Sequence, residues 1–440
     1  MSVLRQQGQE GEHQASSAVP VEAIPVVHSV AANWWVRTFG ALSDQQFRLL
    51  WLGTLFFMAG VQMHIITRPW LAYQISGSAF SLGVVSIATG VPMLLSSLIG
   101  GVVADRFEKR MVMFLSQGVI AVLALINAIL VQLDVIQIWH LVLLSMVQGP
   151  VFSFNMPARQ AYLKDIVGYE GMANAIALNA TGMNLVRVLA PAIAGVMLAW
   201  SPTVTFYSIA VMYLGSMFML LQLPRSAAST IEHKSMVSDM QLGIQYIWRK
   251  PVLLTLLVMA FVPILFGMPF QQLLPVFQED VLGVGESALG MMYTFVGIGS
   301  LLGTLLVAFL SDYPRKGMVQ VISGVAFGLS LAFFSQAGTL PIALAALLLV
   351  GLASQGYMTM NMVMVMLHTE GDYYGRVMSI YMMTFSAMTV AMLPLGAMVD
   401  VAGAPATLTV SGLILTASIV GIAMLKPTFW RMKTVGEGAS

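Results

Sequence analysis

Three ionisable side chains interrupt what would otherwise be unbroken apolar sequence: His64 and Arg68, four residues apart, and Arg187. At that spacing His64 and Arg68 share one helical face. A guanidinium at the centre of an apolar helix costs about 2.5–3.5 kcal/mol on insertion scales, so it persists where it is paired, wetted or useful. No Asp or Glu lies deep in the apolar stretches, so neither arginine has an evident counter-ion. Arg187, if water reaches it, would attract carboxylate, phosphate or catecholate oxygens in a fork geometry. The alternative is a structural arginine that bonds backbone carbonyls or Asn184. Arg68 lies nearer the end of its stretch and can snorkel to the interface instead. With an ordinary pKa of about 6.5, His64 is the side chain able to load and release a proton near neutral pH within this apolar sequence; the alternative is a hydrogen-bonded packing residue.

Weaker polar positions recur at helical spacing. Gln148, Phe152, Asn155 and Arg159 make one stripe, and Tyr357 and Asn361 make a second. Polar groups aimed at lipid are costly, so both stripes are expected to face the bundle interior, lining a cavity or bonding between helices. The 34 methionines concentrate at Met358–Met366 and Met378–Met392, where flexible thioethers either repack around apolar ligands or fill gaps between helices. Pro263, Pro269 and Pro275 each remove a backbone donor and predict a broken helix.

The elements that must hold these residues follow from composition. Of 440 residues 58% are apolar and 9% charged, where a soluble domain is about a quarter charged. Twelve stretches long enough to cross a hydrocarbon core of roughly 30 Å fit near 48–74, 79–104, 111–133, 137–157, 173–200, 203–222, 252–278, 287–311, 318–337, 341–366, 375–400 and 405–425. Apart from Arg68 and Arg187, all of the 20 Lys and Arg fall in the tails or in breaks after even-numbered spans. Lys and Arg are retained by cytoplasmic loops, so both termini are expected in the cytoplasm. The breaks holding Asp134, Glu279-Asp280 and Asp400 carry no base.

The longest internal break, Pro224–Lys250, divides the spans six and six, and Met240, Ile244 and Ile247 predict a surface helix over Met236–Arg249. The expected organisation is a polar, disordered cytoplasmic tail (1–47), a six-helix bundle (48–222), a linker (223–251), a second six-helix bundle (252–425) and a short cytoplasmic tail (426–440). Duplication predicts matched features in the halves. Gly101 to Arg110 after span 2 and Ala308 to Lys316 after span 8 match, as do Pro191 and Pro394.

Zero cysteines exclude disulfides and thiolate chemistry. No phosphate-binding Gly-x-x-x-x-Gly-Lys-Ser/Thr loop is present, and no clustered nucleophile, acid pair or metal-ligand set falls within the spans. An ATP-driven pump and a membrane-embedded enzyme are therefore not expected, nor is a cofactor or a nucleic-acid partner.

Gly101-x-x-x-Asp105-Arg106-x-x-Lys109-Arg110 resembles the cytoplasmic signature of the major facilitator superfamily. Two longer stretches resemble its enterobactin-exporter branch of siderophore exporters: Tyr73 to Gly83 running on to Pro92, and Pro157-Ala-Arg159-Gln160 through Asn174–Asn179 to Asn184–Pro191. Glu108 replaces the usual Gly of the signature, and Ala190-Pro191-x-x-Ala194-Gly195 is a reduced form of the Gly-Pro-x-x-Gly-Gly motif associated with antiporters. The resemblance implies an all-α membrane fold of paired six-helix halves in a bacterial inner membrane. It also implies a proton-coupled exporter of a siderophore-like or amphipathic organic anion, acting as a monomer by alternating access. Polyspecific drug efflux and a non-transporting receptor or scaffold are the rivals. Independently of family, Asp105 at the end of span 2 can pair with a neighbouring helix and latch the halves on the cytoplasmic side, with Gly101, Arg106, Lys109, Arg110 and, in the second half, Asp312 and Arg315.

Overall fold

The computed structural model describes residues 40–168, 172–225, 236–310 and 313–426, with the side chains of 98–106, 173, 236–239 and 372 excepted. Most of the expected N-terminal tail, the middle of the linker, Asp312 and almost all of the C-terminal tail lie outside the described residues. In the first half run α1 (Gln45–Ser76), α2 (Ala79–Arg106), α3 (Lys109–Gln132), α4 (Ile138–Val167), α5 (Met172–Trp200) and α6 (Pro202–Leu221). The linker carries α7 (Met236–Arg249). The second half contains α8 (Pro251–Phe266), α9 (Phe270–Val276), α10 (Glu286–Phe309), α11 (Lys316–Ser335), α12 (Leu340–Leu367), α13 (Tyr374–Thr384), α14 (Ala387–Ala402) and α15 (Ala404–Leu425).

Among the described residues, twelve crossings are long and apolar enough for a bilayer. The seventh is broken: α8 stops where Gly267 and Met268 both turn back to the Pro263 carbonyl, and the chain resumes as α9 and a π-turn, Phe277–Val281. The proline-rich sequence predicts this break. The eleventh crossing is also interrupted, at Phe385–Ser386 between α13 and α14, without a proline at the break. Fully helical crossings satisfy their backbone groups internally, as hydrocarbon requires. Ends are set locally: the Asp44 carboxylate accepts from Phe47 N–H at 2.8 Å to start α1, and Gly77, at φ 61°, closes it with an N–H bond to the Tyr73 carbonyl.

The halves meet along two long seams, α2 against α14 and α5 against α10, with α1 also touching α9. Closest approach falls where side chains vanish: a Cβ on Gly195 would sit 2.4 Å from the Gly290 Cα. By contrast α13, the other part of the eleventh crossing, packs on α7 and α8 of its own side. The halves are therefore joined at the end bearing Asp134, Glu279 and Asp400, here the acidic face, and α13 turns away from the first half toward the other end, the basic face.

On the basic face α7 docks against the second half. Tyr246 stacks on Tyr373 with centroids 4.1 Å apart, its hydroxyl accepts from Glu370 N–H, and Lys250 pairs with Glu370. The carboxylate raises the Lys250 pKa above its ordinary value, so this exposed pair holds at neutral pH and loosens only once pH passes above the usual lysine range. The helix has the expected limits, but its buried stripe is Gly243, Tyr246 and Ile247, and Ile244 is 41% exposed. The Tyr246–Tyr373 stack fixes a rotation that periodicity alone does not give.

Candidate functional site

Arg187 sits midway along α5. The lipid-facing stripe of that helix is Leu185, Leu189, Ile193 and Val196, all about half exposed or more. Two residues from both Leu185 and Leu189, Arg187 points about 200° around the helix from them, toward the interior, yet its side chain is exposed. It lies at the seam of the halves. The Thr294 hydroxyl of α10 is 3.4 Å from the Val188 carbonyl, and the Arg187 Nη1 is 3.5 Å from Gln355 Oε1 of α12, the limit of a hydrogen bond. An exposed guanidinium on an interior face, with an amide instead of a carboxylate opposite, is a cation available to an entering anion. Asn184, one turn away, is half-buried and makes no bond to it.

His64 and Arg68 share a face of α1, as their spacing predicts. Arg68 Nε donates to His64 Nε2 at 3.2 Å, and Arg68 Nη1 donates to Thr89 Oγ1 of α2 at 3.1 Å. Arg68 is therefore held inward by side-chain partners and does not snorkel. A ring nitrogen that accepts a hydrogen bond carries no proton, so His64 is neutral in this conformation, with Nδ1 buried and unbonded.

The stripe on α4 faces α1. Gln148 and Asn155 are buried, and Phe152 lies 5.8 Å from Phe57, ring to ring. Arg159, expected just past span 4, lies within it, because α4 continues to Val167, ten residues beyond the predicted end at 157. A third arginine, besides Arg68 and Arg187, therefore sits well inside a crossing helix of the first half and not in a loop. Arg159 is 6% exposed, donates from Nη1 to Thr54 Oγ1 at 2.7 Å and stands 4.9 Å over the Phe57 ring. The second stripe is an interhelix fastening: Tyr357 Oη donates to the Met259 carbonyl at 2.6 Å and Asn361 Nδ2 to the Leu256 carbonyl at 3.0 Å, both buried. These bonds tie α12 to α8, the bonding alternative of the sequence pattern. The methionines at 358, 360 and 364 are buried among the same helices.

Of the predicted latch, Lys109 pairs with Asp165 at 2.6 Å and Arg110 Nη2 donates to the Leu221 carbonyl at 2.9 Å. Both contacts lie within the first half, tying α3 to α4 and α6, so in this conformation, with the halves joined at the acidic face, these two bases do not join the halves. Arg315 is exposed at the start of α11. Gly101, Asp105 and Arg106 occupy the last turns of α2, their side chains outside the described residues, as is Asp312.

A further set of bonds between the halves, which the sequence did not assign, lies on the acidic face. Asp400, in the last turn of α14, accepts from Ser78 Oγ at 2.5 Å, Ala79 N–H at 2.7 Å and Phe80 N–H at 3.2 Å. A carboxylate of one half thus caps the first turn of α2 in the other, satisfying donors that a helix start leaves free. Beside it Tyr73 Oη donates to Asp280 at 2.5 Å, Gln74 to Glu279 at 2.5 Å, and Ser86 bonds Gln272. The legible signal was that breaks after odd-numbered spans hold acids and no base.

A family model described as a transmembrane secretion effector matches residues 36–435. The staphyloferrin A transporter of Staphylococcus aureus is 27% identical over 387 residues, 86% of this chain and 91% of that one. The enterobactin exporter EntS of Shigella flexneri is 24% identical, covering 90% and 97%. The multidrug efflux pump Tap of Mycolicibacterium fortuitum is 25% identical, covering 67% and 74%. Among solved structures the nucleoside transporter NupG superposes with a TM-score of 0.69 at 14% identity, covering 89% of this chain and 100% of that one. A D-xylose–proton symporter gives 0.67 at 13%, covering 91% and 99%.

Proposed function

The chain belongs to the transmembrane secretion effector family of major facilitator transporters, and on that premise we propose that it exports a siderophore-like or amphipathic organic anion in exchange for protons. It is a multi-pass membrane transporter of a small molecule, not an enzyme. The observation that carries the anionic reading is Arg187: an exposed guanidinium at the seam of the halves, on the interior side of α5, facing Gln355 and no carboxylate. Similarity to a staphyloferrin A transporter and an enterobactin exporter supports a siderophore-like cargo.

Retention of Lys and Arg on one side supports both termini in the bacterial cytoplasm. The halves then meet at the periplasmic end and face inward, the state in which an exporter loads. Gln148, Phe152 and Asn184 are the positions proposed to line the path beside Arg187, and each two-half monomer encloses its own path. His64 is the proposed proton carrier: protonating Nε2 must break the Arg68 contact, which gives proton loading a mechanical consequence in α1 and α2.

The experiment is flux in reconstituted vesicles with an imposed pH gradient. Arg187→Gln should abolish movement of a catecholate anion while leaving the protein folded; undiminished flux and affinity would remove the anionic reading. Similarity to Tap and the methionine-rich α12 and α13 favour one rival, efflux of apolar drugs. That reading predicts loss of apolar cation efflux on replacing Met378 and Met388, with Arg187→Gln harmless.

A further inference from the structure

We propose that Arg159 and Asn155 form a second carboxylate-binding position, separate from Arg187 and in the basic-face third of the first half. It deepens the preceding reading and rests on the cargo being an anion.

The position is built from four side chains. Arg159 is anchored by one end of its guanidinium, Nη1 to Thr54 Oγ1 at 2.7 Å, and the Thr54 hydroxyl is itself committed to the Leu50 carbonyl at 2.7 Å. The guanidinium carbon stands over the Phe57 ring, 4.9 Å from its centroid. What remains is the Nε–Nη2 edge, and neither atom has an acceptor. That edge presents two parallel N–H groups, the pair that engages both oxygens of one carboxylate. Asn155, one turn earlier on the same face of α4, is fully buried, and neither atom of its amide is bonded. Its unbonded Nδ2 offers a further donor one helical turn from Arg159.

Among the described side chains, no acid balances this charge. α1, α3 and α6 contain no Asp or Glu, and the single acid of α4, Asp165, is engaged by Lys109. A buried cation with two idle donors lowers the stability of the empty protein. A structural arginine has the opposite character: its donors are met and its removal is destabilising. Arg159 has the geometry of a group whose partner arrives. Counting α-helical rise along α1, Thr54 lies about 14 Å and His64 about 28 Å from the start of the helix, so Arg159 and Arg68 mark two depths of the same half. A cargo carrying carboxylate groups can meet fixed cations in succession as it moves from the basic face inward.

The test is thermal melting of the purified full chain in phosphatidylcholine nanodiscs, titrated with succinate and with uncharged succinamide. The background is Arg187→Gln, so that the mid-membrane guanidinium contributes nothing. Succinate, not succinamide, is expected to raise the melting temperature. Adding Arg159→Gln should raise the succinate-free melting temperature and weaken the succinate response at least tenfold; Asn155→Ala, which leaves the anchored guanidinium in place, should weaken it several-fold. An equal succinate response with and without Arg159→Gln, or no response in the Arg187→Gln background, overturns the proposal. Both outcomes are independent of whether Arg187→Gln stops flux, so the two readings fail separately.

Discussion

At the scale of single residues, Arg68, Arg159 and Arg187 differ in what holds them: Arg68 has His64 and Thr89, Arg159 has Thr54, and Arg187 has only a long contact to Gln355. Arg187 was legible because an arginine in an apolar run has few innocent explanations, and the stripe Leu185, Leu189, Ile193, Val196 then fixes which way it points. Arg159 was partly hidden: positive-inside bias made it look like a loop base, and the ten extra residues of α4 place it on that helix, buried against α1. Tyr357 and Asn361 had the pattern of a polar lining, but a pattern gives a face and not a partner; their partners are backbone carbonyls of α8. Tyr357→Phe should therefore cost about 1 kcal/mol of stability by orphaning the Met259 carbonyl, with transport retained. A chemical denaturation midpoint beside vesicle flux checks this, and lost flux at unchanged stability would return Tyr357 to the pathway. His64→Gln keeps an acceptor for Arg68 but cannot carry a proton. Flux should persist down a substrate gradient and cease to respond to a pH gradient, and continued proton-driven accumulation would relieve His64 of its proposed role.

At the scale of elements, the twelve crossings and the surface helix were readable because about 20 apolar residues and segregated bases are coarse signals. What escaped was set by tertiary contact. Tyr246 rotates α7 by stacking on Tyr373, and no proline marks the break between α13 and α14. The cap that Asp400 gives α2 joins residues more than 300 apart, which spacing cannot foresee. That cap makes a prediction. An aspartate at a helix start is worth about 1 kcal/mol, and here it is present only while the halves touch on the acidic face. Asp400→Ala should move the balance toward opening of that face about fivefold. Distances between spin labels on the acidic-face ends of α1 and α10 would report it as a larger long-distance fraction, and an unchanged distribution would deny the cap any part in closure.

At the scale of the whole molecule, the two halves are held together at their acidic end, the loop bases lie at the other end, and Arg68, Arg159 and Arg187 sit in the first half with no carboxylate beside them among the described residues. Alternating access requires the halves to part at one end at a time, and the seams of α2 with α14 and α5 with α10 are the surfaces on which they must rock. The duplication was visible in paired motifs after spans 2 and 8, yet the halves divide the work unequally. Arg68, Arg159 and Arg187 all lie in the first, while the second answers with Gln355 and a tightly bonded α8–α12 pair. Motif symmetry reports common descent of the fold and is silent about which half holds the cargo.

The most direct measurement uses the natural absence of cysteine. Arg187→Cys introduces a single thiol, to be challenged with a membrane-impermeant reagent in right-side-out and inverted vesicles, with Leu185→Cys as the lipid-facing control. The account predicts rapid labelling of position 187 from the side of the termini, slow labelling from the other side, and none at position 185. A thiol at 187 that stays as unreactive as the one at 185 from both sides would contradict it.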